Sequence, residues 1–191
     1  MHFRLLYNGP LKAGGKDQKH IHEIRKYLQP QLENLWKFPP LNMPGTDKVT
    51  SAKIGHDDSP QDIKIAGRLY RPIVQSKINL LAELDILFLR PEPPGKMFNT
   101  TGDLDNRIKT LFDALKPPDP NQAIKLDTTE DPTLFHVLLE DDALISGLHI
   151  TTDRLLPAPH QTLSGGTVHL VVTVTITATH AHMDNLHMLG P

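Results

Sequence analysis

Apolar residues recur along this chain at two periods. From Asp17 onward, Ile21, Ile24, Leu28, Leu32, Leu35 and Trp36 fall on one stripe at helical spacing, with Asp17 as the N-cap. Pro30 is expected to kink or split that helix. Between Ile78 and Leu89 the period drops to two. Leu80, Ala82, Leu84, Ile86 and Phe88 share one face, while Leu81, Leu87 and Leu89 take the other, predicting a central strand covered on both sides. A second amphipathic helix is predicted over Asp103–Lys116, where Leu104, Ile108, Leu111, Phe112 and Leu115 make the apolar stripe. Leu134–Leu139 reads as a short apolar strand running into Glu140, Asp141 and Asp142, after which apolar residues resume at Ala143–Ile145. Finally, Val168, Leu170, Val172, Val174, Ile176 and Ala178 alternate with Thr and His, the pattern of a half-buried strand over Thr167–Thr179.

Helices do not alternate regularly with strands, so the pattern predicts an α+β fold, a mixed β-sheet with two main helices packed on it. The seventeen prolines cluster and mark loops. No loop separates two self-sufficient apolar cores, so residues 1–191 read as a single domain with insertions near 39–60 and 117–133. The absence of cysteine excludes disulfides, thiolate metal sites and thiol catalysis, and favours the cytoplasm. No stretch approaches the roughly 20 apolar residues that a bilayer crossing requires, so no membrane is expected as a partner.

The net charge of -2 hides an asymmetry: residues 1–96 hold 15 Lys/Arg against 10 Asp/Glu, and residues 97–191 hold 5 against 12. Such a split can place a basic surface beside an acidic pocket, although uneven surface charge is the plainer account of the count alone. Two acidic groups give the asymmetry chemical content. Asp103 and Asp105 open the second helix, where carboxylates cap free N–H groups and sit favourably in the helix dipole. Asp141 and Asp142 end an apolar strand, where acids are costly unless paired or bound to a cation. If the strand end lies beside the helix start, Asp103, Asp105 and Asp142 converge, and their mutual repulsion favours a hard divalent ion, Mg²⁺ or Mn²⁺. Lys109, one turn after Asp105, is either a routine ion-pair partner or a charge that offsets a developing phosphate anion.

The segment Asp103-Leu-Asp-Asn-x-x-Lys109, the turns ending in Asp113-Ala-Leu115, and the later strand into Asp141-Asp142-x-x-Ile145 together resemble the RusA-like family of Holliday junction resolvases. The resemblance spans roughly residues 78–150, with the closing strand in the expected place. It implies a RusA-like mixed sheet and a Mg²⁺-dependent homodimeric endonuclease that cleaves four-way DNA junctions by attack of a metal-activated water on the phosphodiester. Asp103, Asp105 and Asp142 would be the catalytic, metal-binding acids, and Lys109 the basic catalytic residue. Asn106 and Asp141 would support them. Arg107, Lys96 and Arg90 are the candidates for contacting branched DNA, with Arg68 and Arg71 behind them. A two-fold dimer matches a junction that presents two equivalent phosphates.

Other readings start from the same residues. The acids could serve a metal-dependent nuclease acting on other nucleic-acid structures, or a non-catalytic nucleic-acid or protein-binding relative. His20, His22, His180, His182 and His187 give only a weak zinc pattern. Trp36 reads as a core or dimer-contact residue, and Gly165-Gly166 as a turn into the last strand.

Overall fold

The computed structural model describes residues 1–14, 17–42, 62–91, 104–123, 132–156, 166–181 and 183–188. In chain order its elements are β1 (His2–Pro10), α1 (Gln18–Leu35), β2 (Ile63–Ile65), β3 (Arg68–Val74), β4 (Leu80–Arg90), α2 (Leu104–Leu115), the single turn α3 (Pro120–Ala123), β5 (Leu134–Leu139), β6 (Ile145–Arg154) and β7 (Thr167–Ala178). The fold is α+β with two mixed sheets, where the pattern predicted one. The larger has the order β1-β7-β4-β6, with β7 antiparallel to both neighbours and β6 parallel to β4. The smaller has the order β2-β3-β5, with β2 and β3 joined antiparallel and β3 parallel to β5. The β2–β3 hairpin turns on Ala66 and Gly67, both at positive φ, as a two-residue turn between twisted strands requires.

One large core lies on a single face of the four-stranded sheet. Leu80, Ala82, Leu84, Ile86 and Phe88 of β4 meet Val168, Leu170, Val172, Val174 and Ile176 of β7, together with Ile21, Ile24, Leu28 and Leu32 of α1 and Ile108, Leu111 and Leu115 of α2. The strand β4 is central, as expected, but among the described residues no second layer packs fully on its other face. Leu81, Leu87 and Leu89 are only half-buried, and Glu83 and Asp85 are exposed on that side. A second, smaller cluster of Ile65, Tyr70, Ala123, Phe135 and Val137 sits on the three-stranded sheet.

The helix α1 begins at the expected cap, with the Asp17 carboxylate accepting from the His20 N–H at 3.1 Å. Pro30 does not split it. One helix runs from Gln18 to Leu35, because Pro30 lies on the exposed face and the buried stripe continues on both sides of it. Among the described residues no helix is long and apolar enough to cross a membrane.

Candidate functional site

The second helix carries its charges on one flank. At 3.6 residues per turn, Asp105, Lys109, Asp113 and Lys116 follow one another along a narrow stripe, while Ile108, Leu111 and Leu115 face the core. Asp105, Asn106 and Lys109 are exposed. Asp105 and Lys109 border a hollow of about 680 Å³ between α2 and β6, whose walls are Leu104, Ile108, Phe112, Leu148 and Ile150. Asp103 and Lys96 lie outside the described residues.

The other end of the stripe is built by distant parts of the chain. Glu140, Asp141 and Asp142 leave the buried strand β5 and take three separate partners. Glu140 Oε2 accepts from the Ser76 N–H at 2.7 Å and from its hydroxyl at 2.8 Å, tying the strand end to the turn before β4. Asp141 Oδ1 accepts from the Ala143 N–H at 2.9 Å and so caps the 3-10 turn Asp142–Leu144. Asp142 faces α2: its Oδ1 accepts from Lys116 Nζ at 2.7 Å. The same ammonium stands 3.7 Å from Asp113 Oδ1.

Beneath this triad lies Arg25 of α1, almost wholly buried. Its Nη2 donates to the Asp113 carbonyl at 2.7 Å and its Nε to the Lys116 carbonyl at 2.9 Å. The last carbonyls of a helix have no partner within the helix, so this guanidinium both satisfies them and meets the negative end of the dipole.

Electrostatics follow the geometry. The Lys116 hydrogen bond holds the Asp142 carboxyl below the usual carboxylate range. Burial pulls the Lys116 ammonium down, but the hydrogen bond and charge of Asp142, with Asp113 and Asp141, leave it above its ordinary value. Burial pushes the Asp113 carboxyl up and the like charge of Asp142 adds to this, against the opposing pull of Lys116, Lys109 and Arg25.

Among the described residues Asp142 does not converge with Asp105, and Asp103 lies outside them. Asp142 does reach the motif helix, but it docks at Asp113 and Lys116. Asp105 begins the same stripe about 12 Å along the axis from Asp113, eight residues at 1.5 Å each. Asp141 is committed to its own turn. Among the described residues no group of three His, Asp or Glu is placed to hold a metal ion. The donor chemistry nonetheless suits a hard cation: Asp113 and Asp142 offer only carboxylate oxygen to a single point charge. Mg²⁺ is commonly held by one or two carboxylates, completing its shell with water and phosphate oxygen.

The expected DNA contacts need correction. Arg90 and Arg107 are 4% and 5% exposed, so neither presents its guanidinium to a surface ligand. Arg90 shares the inward face of β4 with Phe88, and Arg107 shares the buried side of α2 with Leu111 and Ala114, which charge counting does not reveal. Arg71 is held by Asp62 through two bonds of 2.8 Å and lies over the Trp36 ring, and Arg68 donates to the Pro132 carbonyl at 3.0 Å. Of the histidines, His20 is buried and its Nε2 accepts from the Lys12 N–H at 3.2 Å; His182 lies outside the described residues.

Three contributors were not singled out for a role: Asp113, Lys116 and Arg25. The first two continue the series from Asp105 and Lys109 by four and three residues, a signal present in the spacing. Arg25 leaves none, since its partners lie 88 and 91 residues away. Comparison of the chain with protein families, with curated proteins and with solved structures gives no match.

Proposed function

We propose that the protein is a Mg²⁺-dependent endonuclease of the RusA-like type, acting on four-way DNA junctions as a homodimer, with Mn²⁺ as a substitute ion. The observation that carries this reading is the docking of Asp142 onto α2, which joins the two halves of the acidic motif on one helix. In this reading Asp142 would hold an ion with Asp113, and Asp103 and Asp105, at the helix start about 12 Å along the axis from Asp113, would form the other acidic group of the motif. Mg²⁺ bound there would activate a water and neutralise charge on the phosphodiester. Lys109, exposed between Asp105 and Asp113, would contact a phosphate and offset charge that develops on it. Asn106 is exposed, and its backbone carbonyl accepts from the Thr110 hydroxyl at 3.0 Å; in this reading its side chain would support the acids.

One observation favours a second reading. Asp142 already has a cation in Lys116, so its acid is neutralised without a metal, as in a non-catalytic binding relative. Cleavage of a mobile four-way junction and of linear duplex of equal sequence, with and without Mg²⁺, separates these readings when run on wild type and Asp105→Asn. The proposal expects Mg²⁺-dependent cutting of the junction by wild type and a loss of about 100-fold or more in the variant, the scale of several kcal/mol of charge stabilisation. Equal cleavage by both proteins refutes the assignment, and equal rates on the two DNAs remove junction selectivity.

A further inference from the structure

The face of the four-stranded sheet turned away from the core carries its side chains in level rows. Register sets His2, Thr175, Glu83 and Gly147 side by side across β1, β7, β4 and β6, and the next row is Arg4, Thr173, Asp85 and His149. The third row is Leu6, Val171, Leu87 and Thr151. In the two charged rows an imidazole or guanidinium stands on β1 and an acid on β4, all four exposed, and Leu6 in the apolar row is 48% exposed. We propose that two copies of the chain pack through this face, sheet on sheet, about a two-fold axis that runs along the strands between β7 and β4. The inference gives the homodimer of the proposed function its surface, and rests on that reading only in expecting a dimer.

Charge complementarity selects both this partner and this axis. The rotation keeps each row at its own level and reverses its order, so that β1 lies over β6 of the second copy and β7 over β4. Arg4 then reaches the other copy's Asp85 and His149, which stand 3.0 Å apart, while His2 approaches Glu83 and Val171 meets Leu87. Among the described residues the side chains of His2, Arg4 and Glu83 have no hydrogen-bond or ion-pair partner within their own chain. A two-fold axis across the strands would instead bring β1 onto β1, setting like charge on like or charge on leucine. A patch that complements itself is what an isologous dimer requires, and sheets packed face to face keep their strands within about 30° of each other. The middle of the β1 edge is closed to strand addition, because the Gln31 amide donates to the Leu6 carbonyl at 2.7 Å and accepts from its N–H at 2.9 Å.

The test is sedimentation equilibrium of the full chain over a wide concentration range, for wild type, Arg4→Glu, Asp85→Arg and the double variant carrying both changes. Each single variant sets like charges against each other twice per dimer and should weaken dimerisation by at least about tenfold. The double variant exchanges the two charges without changing the net charge, and should recover most of that loss. A wild type that stays monomeric at every concentration overturns the inference and the homodimer together. A wild-type dimer that neither single variant weakens shows that another surface is used, so this inference falls while the homodimer stands. Single variants that weaken the dimer without recovery in the double variant refute the facing of Arg4 and Asp85, and with it the axis. A measurement on the unaltered protein guards against a variant that fails to fold. Carbethoxylation of His2 and His149 relative to His180, read by mass spectrometry, should fall as concentration rises through the dimerisation range. Unchanged relative labelling overturns the inference.

Discussion

The two ends of α2 carry the same kinds of side chain and are built in opposite ways. At the first turn, Asp105 and Lys109 are exposed beside an apolar hollow. At the last turn, Asp113 and Lys116 are partly buried, gripped from below by α1 and from the side by the exit of β5. The first end is a surface open to a large ligand, and the second is a small polar assembly holding acids at a distance fixed by the fold. Charge spacing in a sequence finds the first kind of place. Only tertiary contact makes the second.

Variants at the two ends should therefore behave differently, and the largest effect belongs to Arg25. Arg25→Met leaves the Asp113 and Lys116 carbonyls without donors in a buried setting, and urea unfolding should show a loss of about 3 kcal/mol. A loss below about 0.5 kcal/mol would show that the helix end does not depend on this clamp.

Next comes Asp142→Asn, which should cost about 1 kcal/mol at pH 7, the scale of a partly exposed ion pair. Because the folded protein holds this carboxyl below its unfolded value of 3.8, its contribution is present above that pH and fades as pH falls through the lower folded value. The gap between variant and wild type should close on acidification, and a gap that persists in strong acid contradicts the assignment.

Asp113 should show the reverse sign. Its folded carboxyl is raised above 3.8, so wild type loses stability as pH rises from 3.8 through the folded value. Asp113→Asn should flatten that slope and be at least as stable as wild type at pH 7, measured by thermal unfolding across pH. The smallest effect is expected at the open end. Asp105→Asn should cost no more than about 0.5 kcal/mol, the share of one exposed carboxylate in the helix dipole.

Much of the fold is legible in the residue pattern where an element is long and one face is buried. Strands β4 and β7 and helix α2 keep one period over ten or more residues, and their buried faces match the pattern. Leu81, Leu87 and Leu89 were misleading, since an apolar residue on a strand does not guarantee that a layer covers it. The strands β1, β3 and β6 escaped because their sequences mix polar and apolar residues. In β3, Arg68, Arg71 and Pro72 interrupt any alternation, and the strand is held by pairing with β2 and β5. The site divides along the same line. The helical placement of Asp105 and Lys109 was visible in local spacing, whereas the partner of Asp142 depended on how β5 meets α2. The burial of Arg90 and Arg107 was invisible for a related reason, because a charged residue is counted as surface until the face it occupies is known.

The most direct test of the central claim compares neighbours in sequence that differ in direction. Asp142 faces α2, and Asp141 caps its own turn. Junction cleavage should be measured at saturating Mg²⁺ and fixed salt for Asp142→Asn and Asp141→Asn, with folding confirmed for each. The account predicts that Asp142→Asn loses about 100-fold or more in rate while Asp141→Asn stays within about tenfold of wild type. Cleavage by Asp142→Asn at the wild-type rate would contradict it.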